Sequence, residues 1–518
     1  MIGWQWVRYL GEFWMWRDGV YLWRIDLRRL MTIGEKCVSS ESAMSRRDLL
    51  KNGGASFAAF AASSVLPHLT IDEKGLFPSK RPEPSARKFQ SKAVEAFIAE
   101  TSKQIADPEL AAMFTNCFPN TLDTTVEVGE FEGKPDTAVI TGDIPAMWLR
   151  DSSAQVWPYL PLASKDAALR RLLEGVIRRQ TRCLLIDPYA NSFMADLNAP
   201  PLEWSLKNKT EMKPGVGERK YELDSLCYPI RLAHGYWKAT GDTSPFDARW
   251  KNAMQLVLQT MRVQQRKEGP GPYRFQRSAE NPTDSLVNGI GNPVKPVGLI
   301  ASCFRPSDDA CIFSFLVPSN LFAVTSLQQL ANIAAAILND SAMATEARSL
   351  AAEVETALRQ YAIVDTAGGS IWAYEVDGFG GHVLMDDANV PNLLGLPYLE
   401  SSPDSALYER TRSFVWSDRN PWFYKGKAGE GIGGPHIGRD MIWPMSQIIF
   451  ALTSNSDVEI VRTIQMLQRS SANSGFMHES YHKDDPARFT RAWFAWANTL
   501  FGELIGKVVQ TKPQLLRM

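Results

Sequence analysis

A period of three to four residues in the apolar positions, repeated segment after segment, constrains this chain more than any other feature. It runs through Lys92–Ile105, Asp107–Asn116, Ile144–Leu160, Asp166–Ile186, Leu223–Thr240 and Pro245–Arg266. It returns over Pro318–Leu338, Ser341–Ile363, Met441–Leu452, Asp457–Ser470 and Arg488–Val508. An apolar stripe at this period marks a helix that must bury one face against another element. Short β-like runs, "CIFSFLV" and "SIWAYEVDG", fall only between helices, and no strand–helix alternation with glycine-rich phosphate turns occurs. Helices in sequential pairs, joined by long loops, bury their stripes when the pairs close into a ring. The pattern predicts an all-α (α/α)6 barrel, a toroid of helical hairpins whose loops at one mouth form the active site. An α-solenoid would need a fixed repeat period, and the sequence has none.

Composition narrows the partners. The net charge is −1, so nothing draws the chain electrostatically to nucleic acid or to an acidic membrane. Six cysteines without a CxxC pair point to buried free thiols rather than a structural zinc site. Sixteen Trp are many; most must pack in the core, but indole faces in a cleft are platforms for sugar rings.

The N-terminal region reads as an address. Ser45-Arg46-Arg47-Asp48-Leu49-Leu50-Lys51, followed by the Gly/Ala/Ser-rich run Gly53–Pro67, is a twin-arginine pattern. Export to the periplasm or beyond is expected, with no stable membrane span remaining. Residues 1–43, rich in Trp and Arg, are expected to be a gene-model extension ahead of a true start at Met44, or unstructured. An interfacial amphipathic helix is the rival. The organisation is therefore 1–43, a 44–70 signal region, a Pro/Lys/Ser-rich 71–90 linker and a single 91–518 barrel domain.

Polar residues cluster in the long loops. Thr141–Leu160 holds Trp148, Arg150 and Asp151: a stacking wall, a planar donor and an acceptor, which suit sugar hydroxyls. The bland alternative is a local surface ion pair. Asp224 opens an otherwise apolar helix, either as a first-turn acid or as a carboxyl at the barrel mouth, where burial would raise its pKa. Three loops, Phe304–Ala323, Leu384–Leu399 and Gly429–Gln447, concentrate Asp308, Asp309, Asp386, Asp387, Asn389, His436 and Arg439. Paired acids would suit calcium, but no EF-hand spacing exists and sugar-hydroxyl acceptors explain the same residues.

His478-Glu479-Ser480-Tyr481-His482 satisfies H-E-x-x-H, with Glu503 available as a third zinc ligand. A zinc peptidase needs that motif on a helix, so that both imidazoles share a face. Gly475 and Pro486 leave barely two turns, and the apolar period that would bury such a helix is missing.

Seven blocks occur in order: "DIPAMWLRDS", "LDSLCYPIRLA", "FRPSDDA", "MDDANVPNLLGLPYL", "GIGGPH", "HES" and "FAWANTLFGELI". Together they resemble glycoside hydrolase family 125, the exo-α-1,6-mannosidases, from about Thr101 to Lys507. The resemblance implies an (α/α)6 barrel, hydrolysis with inversion and no metal or other cofactor. It also implies a mannose-terminated oligosaccharide or N-glycan fragment as partner. By motif, Asp224 matches the general acid and Glu479 the general base. Trp148, Arg150 and Asp151 resemble the element with which glucoamylase-like barrels hold the sugar. Asp309, Asn389, His436 and His478 complete the expected substrate contacts. The loop "GLIASCF" before Arg305 departs from the family pattern. The competing readings are another inverting α-glycosidase of glucoamylase-like shape, a zinc metallopeptidase and a non-enzymatic glycan-binding protein.

Overall fold

The apolar stripes become the buried faces of helices, and the degree of burial separates those helices into two rings. The computed structural model describes residues 5–9, 12–17, 20–25 and 79–517, except 279, 280 and 403. The chain divides into two units, Met1–Leu66 and Pro67–Met518. In the first, three strands, Gln5–Tyr9, Glu12–Arg17 and Val20–Ile25, pair antiparallel in sequence order, where the sequence pointed to an extension, an unstructured segment or a helix. The twin-arginine segment and linker residues 71–78 lie outside the described residues.

The second unit carries α1 (Lys92–Ser102), α2 (Pro108–Cys117), α3 (Asn120–Thr124), α4 (Leu149–Val156), α5 (Ala167–Ile186), α6 (Asp224–Thr240) and α7 (Ala248–Gln264). It continues with α8 (Val317–Ala336), α9 (Ser341–Tyr361), α10 (Ser405–Val415), α11 (Pro444–Leu452), α12 (Asp457–Ser470) and α13 (Ala495–Thr511). Every residue of α4 and α11 is buried, as are most of α6, α8 and α13. These helices are neighbours in turn: α4 with α6, α6 with α8, α11 with α13, and α13 back to α4. The gap between α8 and α11 is filled by the buried turn segment 388–399. Thr325 of α8 shares a hydrogen bond with Ser401 just beyond it, and Gly395 packs on Ile449 of α11. The inner ring therefore closes. Outside it lie α2, α5, α7, α9, α10 and α12: α7 packs between α5 and α9, and the others each pack on a neighbouring inner element. This is the expected (α/α)6 barrel.

The two rings begin differently. Outer helices start on Asp107, Asp166, Asp247, Asp340, Asp404 and Ser456, each accepting a hydrogen bond from the first turn's backbone. Inner helices start after Trp148, Leu223, Leu316, Trp443 and Phe494, none of which caps. Their orphan N–H groups and positive dipole ends meet at one mouth.

That mouth is also where periodicity overextended the helices. The first residues of the expected Ile144–Leu160 and Met441–Leu452 helices are strands, Ala146–Trp148 and Met441–Ile442. They pair with Ser192–Met194 and Ser480–His482 in two small sheets. Arg488 and Phe489 likewise belong to the strand Asp485–Thr490, and α13 starts only at Ala495. A short apolar strand leading into a helix carries no break in the apolar count. At the other end, Pro158 and Pro161 turn the expected end of α4 into a 3-10 stretch, Trp157–Lys165.

Candidate active site

The mouth encloses a cavity of about 430 Å³, the scale of a small-ligand site. Its charged lining is balanced: Arg150, Lys220, Arg277, His436 and Arg491 face Asp151, Glu218, Asp284, Asp308 and Glu479. Such balance suits a neutral polyol rather than an anion. Trp148, Trp204 and Trp443 supply aromatic walls.

At its floor, the buried Arg150 of α4 is ringed by acids. Nη1 donates to Glu222 and, at 3.3 Å, to Asp224; Nη2 lies 3.6 Å from Asp308, and Nε 3.5 Å from Asp151. Four carboxyls around one guanidinium cannot all stay ionised in a buried site. Burial raises Glu222 well above the usual carboxylate range, and it shares a hydrogen bond with Asp308. Burial also works against ionised Asp308, but the Arg150 charge outweighs it and holds Asp308 below its ordinary value. The opposite shifts favour a proton on Glu222 over one on Asp308.

Asp308 is further fixed by Trp148 Nε1 at 3.3 Å and Asn191 Nδ2 at 2.9 Å. Its φ of 67° is left-handed, a conformation Asp tolerates, and its side chain keeps 22% of its exposure while lining the cavity. Asp224 is placed otherwise. It is the first residue of α6, fully buried, and does not line the cavity. Burial, opposed by Arg150, pushes its carboxyl up to about 6. The carboxyl the sequence assigned to proton donation therefore lies behind Arg150, and its neighbour across the guanidinium faces the ligand.

Glu479 also lines the cavity. Its carboxylate accepts from Thr490 Oγ1 at 2.8 Å and from Arg491 Nη1 at 3.3 Å; Arg491 is anchored in turn on Asp143. The H-E-x-x-H residues do not form a helix: Ser480–His482 is a strand. His478 turns into the core, stacked on Phe489 with ring centroids 3.8 Å apart and Nε2 on Ser471 O. Burial lowers it to about 4, which keeps it neutral. It is thus neither a partner of His482 on a shared face nor a lining residue, and the expected substrate contact at His478 is replaced by a packing role. Glu503, the sequence's third zinc candidate, is bonded to Tyr398 and lines a different cavity.

The remaining expected contacts divide. Trp148, Arg150, Asp151, Asn389 and His436 line the cavity. Asp309 is buried behind it, accepting from Thr283 and lying 3.6 Å from His436 Nδ1. The His436 side chain keeps 38% of its exposure; partial desolvation opposes its charge, but the Asp309 carboxylate prevails and raises it to about 9. Asp386 is structural: its carboxylate accepts from Leu393 N and Leu394 N, anchoring the irregular inner segment. Asp387 holds Ser307 and the Asn389 backbone, while Arg439 lies outside the lining. Sequence reasoning missed Lys220, Glu222, Trp204, Arg277 and Arg491. The "KYELD" block, with Lys220, Glu222 and Asp224 at alternate positions, was the available signal for the first two.

A ring of paired helices with carboxyls lining a charge-balanced, Trp-walled cavity at one mouth defines a glycoside hydrolase. The chain belongs to the metal-independent α-mannosidases of family GH125, whose pattern residues 107–506 match. It is 41% identical over 467 residues to the meiotically up-regulated gene 157 protein of Schizosaccharomyces pombe, covering 85% of this chain and 90% of that one. A Streptococcus pneumoniae metal-independent α-mannosidase, solved in a non-productive complex with α-1,6-mannobiose, aligns at 40% identity with a TM-score of 0.78. The alignment covers 82% of this chain and all of that one.

Proposed function

We propose that this protein is an exo-acting α-1,6-mannosidase that inverts the anomeric centre, with Asp308 as general acid and Glu479 as general base. The observation that carries the assignment is that these two carboxyls face one cavity. Asp308 protonates the glycosidic oxygen as the C1–O bond breaks. It draws that proton along its hydrogen bond from Glu222, so the buried dyad acts as one acid. Glu479 takes a proton from a water that attacks C1 on the opposite ring face. Inversion requires the two carboxyls to stand roughly 6.5–9.5 Å apart, leaving room for that water. Arg150 and Asp224 set the charge around the acid and do not donate the proton themselves. Membership of GH125 and the mannobiose held by the streptococcal relative support α-1,6-linked mannose as the sugar released.

The test is hydrolysis of α-1,6-mannobiose against isomaltose, with early product followed by NMR. Faster turnover of mannobiose and initial release of β-mannose are expected; α-mannose as the first product would end the inverting mechanism. The twin-arginine sequence supports export to the periplasm. Replacing Arg46 and Arg47 with Lys should retain the protein in the cytoplasm, and unchanged export would remove that route.

A further inference from the structure

At the other end of the barrel the inner helices' C-terminal turns surround a second cavity, of about 600 Å³. α6, 17 residues long, runs between the two ends, which puts the cavities roughly 25 Å apart. One wall is apolar: Phe97, Phe118, Trp157 and Leu160. Trp157 is half-buried and locked by the Arg231 guanidinium, 3.4 Å from its ring centroid. The rest of the lining is polar and electrically balanced, with Lys238 and Lys507 against Glu400 and Glu503.

Among the described residues, two polar groups of the lining have no partner. Gln329 of α8 is only 8% exposed, and its buried Oε1 meets no donor. His234 Nε2 is likewise buried without a partner. A buried amide oxygen left unsatisfied is costly, so its persistence on a cavity wall points to a ligand that supplies a donor. Glu503, fixed by the Tyr398 hydroxyl at 2.9 Å, adds an acceptor. A lipid would need both walls apolar, and a phosphate would need net positive charge. A pyranose has one C–H face to lay on aromatic rings and a rim of hydroxyls that both donate and accept.

We infer that this cavity is a second, non-catalytic saccharide site, taking a hexose or hexose disaccharide on Trp157 and its apolar neighbours with hydroxyls bonded to Gln329, His234 and Glu503. It would hold another chain end of a branched glycan and raise the effective concentration of substrate at the mouth.

Calorimetric titration of full-length Glu479→Gln protein with α-1,6-mannobiose tests this without turnover. Two binding events are expected. Adding Gln329→Leu should weaken one of them about tenfold or more and leave the other unchanged. His234→Phe should act on the same event. In the wild-type background, Gln329→Leu should leave kcat/KM on mannobiose unaltered, which also verifies that the variant folds. A single binding event, or two events that neither substitution touches, overturns the inference. Absence of mannobiose hydrolysis by the wild type would count against the mannosidase assignment instead, so the two failures are distinguishable.

Discussion

The outer helices open on Asp107, Asp166, Asp247, Asp340, Asp404 and Ser456, whose side chains satisfy first-turn N–H groups; the inner helices open after Trp148, Leu223, Leu316, Trp443 and Phe494, whose side chains satisfy none. Both rings bury apolar stripes, so packing alone does not explain the contrast. Outer caps face solvent and serve stability. The uncapped inner ends converge on the mouth, where their dipoles favour anions and where Asp151, Asp224 and the loop-borne Asp308 and Glu479 gather. One ring uses its ends to hold the barrel and the other to build the site. Changes at the two kinds of end should therefore fail in different ways.

The largest effect is expected at the mouth. Glu479→Gln should lower kcat on mannobiose by about 1,000-fold or more, with the thermal midpoint almost unchanged. Asp308→Asn should lose a similar factor on mannobiose yet recover most of it on an aryl mannoside whose leaving group needs no protonation. Asp224→Asn should show the smaller loss and no such recovery. If Asp224→Asn alone recovers with the activated substrate, the acid is Asp224 after all.

Arg150→Met should come next, and it should harm both activity and fold. It leaves Glu222, Asp224, Asp308 and Asp151 without their shared cation, a loss of about 3–5 kcal/mol by denaturant unfolding. A variant of wild-type stability would show that the acids neutralise themselves.

A pH effect follows from His436. Its folded pKa of about 9 lies above the ordinary 6.5, so its contribution to stability is complete below about 6.5 and lost as pH rises through about 9. His436→Gln should flatten that alkaline limb in thermal melts taken between those values, and an unchanged slope would break the link to Asp309. The smallest effect belongs to the outer ring. Asp404→Ala removes the bond to Leu407 N and should cost about 1 kcal/mol with kcat/KM intact. A loss of activity there would erase the distinction between the rings.

Much of this was legible beforehand. Apolar periodicity located the five inner helices and every outer helix except α10 (Ser405–Val415), because a stripe at helical period has few ways to be buried. Polar crowding in the long loops located the mouth. Trp148, Arg150, Asp151 and Glu479 were found by residue type and block order. The differences lie where tertiary placement decides which side chain reaches the cavity. Asp224 and Asp308 are both acids beside Arg150, yet only Asp308 reaches the cavity. His478 and Glu479 are adjacent just ahead of the strand Ser480–His482, yet the bend at Glu479 leaves one side chain in the core and the other on the cavity.

The sequence by itself determined the paired helices, their closure into a barrel, the family and a glutamate at the mouth, Glu479, since these rest on periodicity and on residues close in the chain. Tertiary structure alone decided which acid beside Arg150 reaches the cavity, which way burial and charge shift each carboxyl, and that a second polar-and-aromatic cavity opens at the far end. Those outcomes depend on burial and on charges brought together from distant segments, such as Glu222 and Asp308 around Arg150. Desolvation and Coulomb interactions act across space, and no local pattern along the chain encodes them.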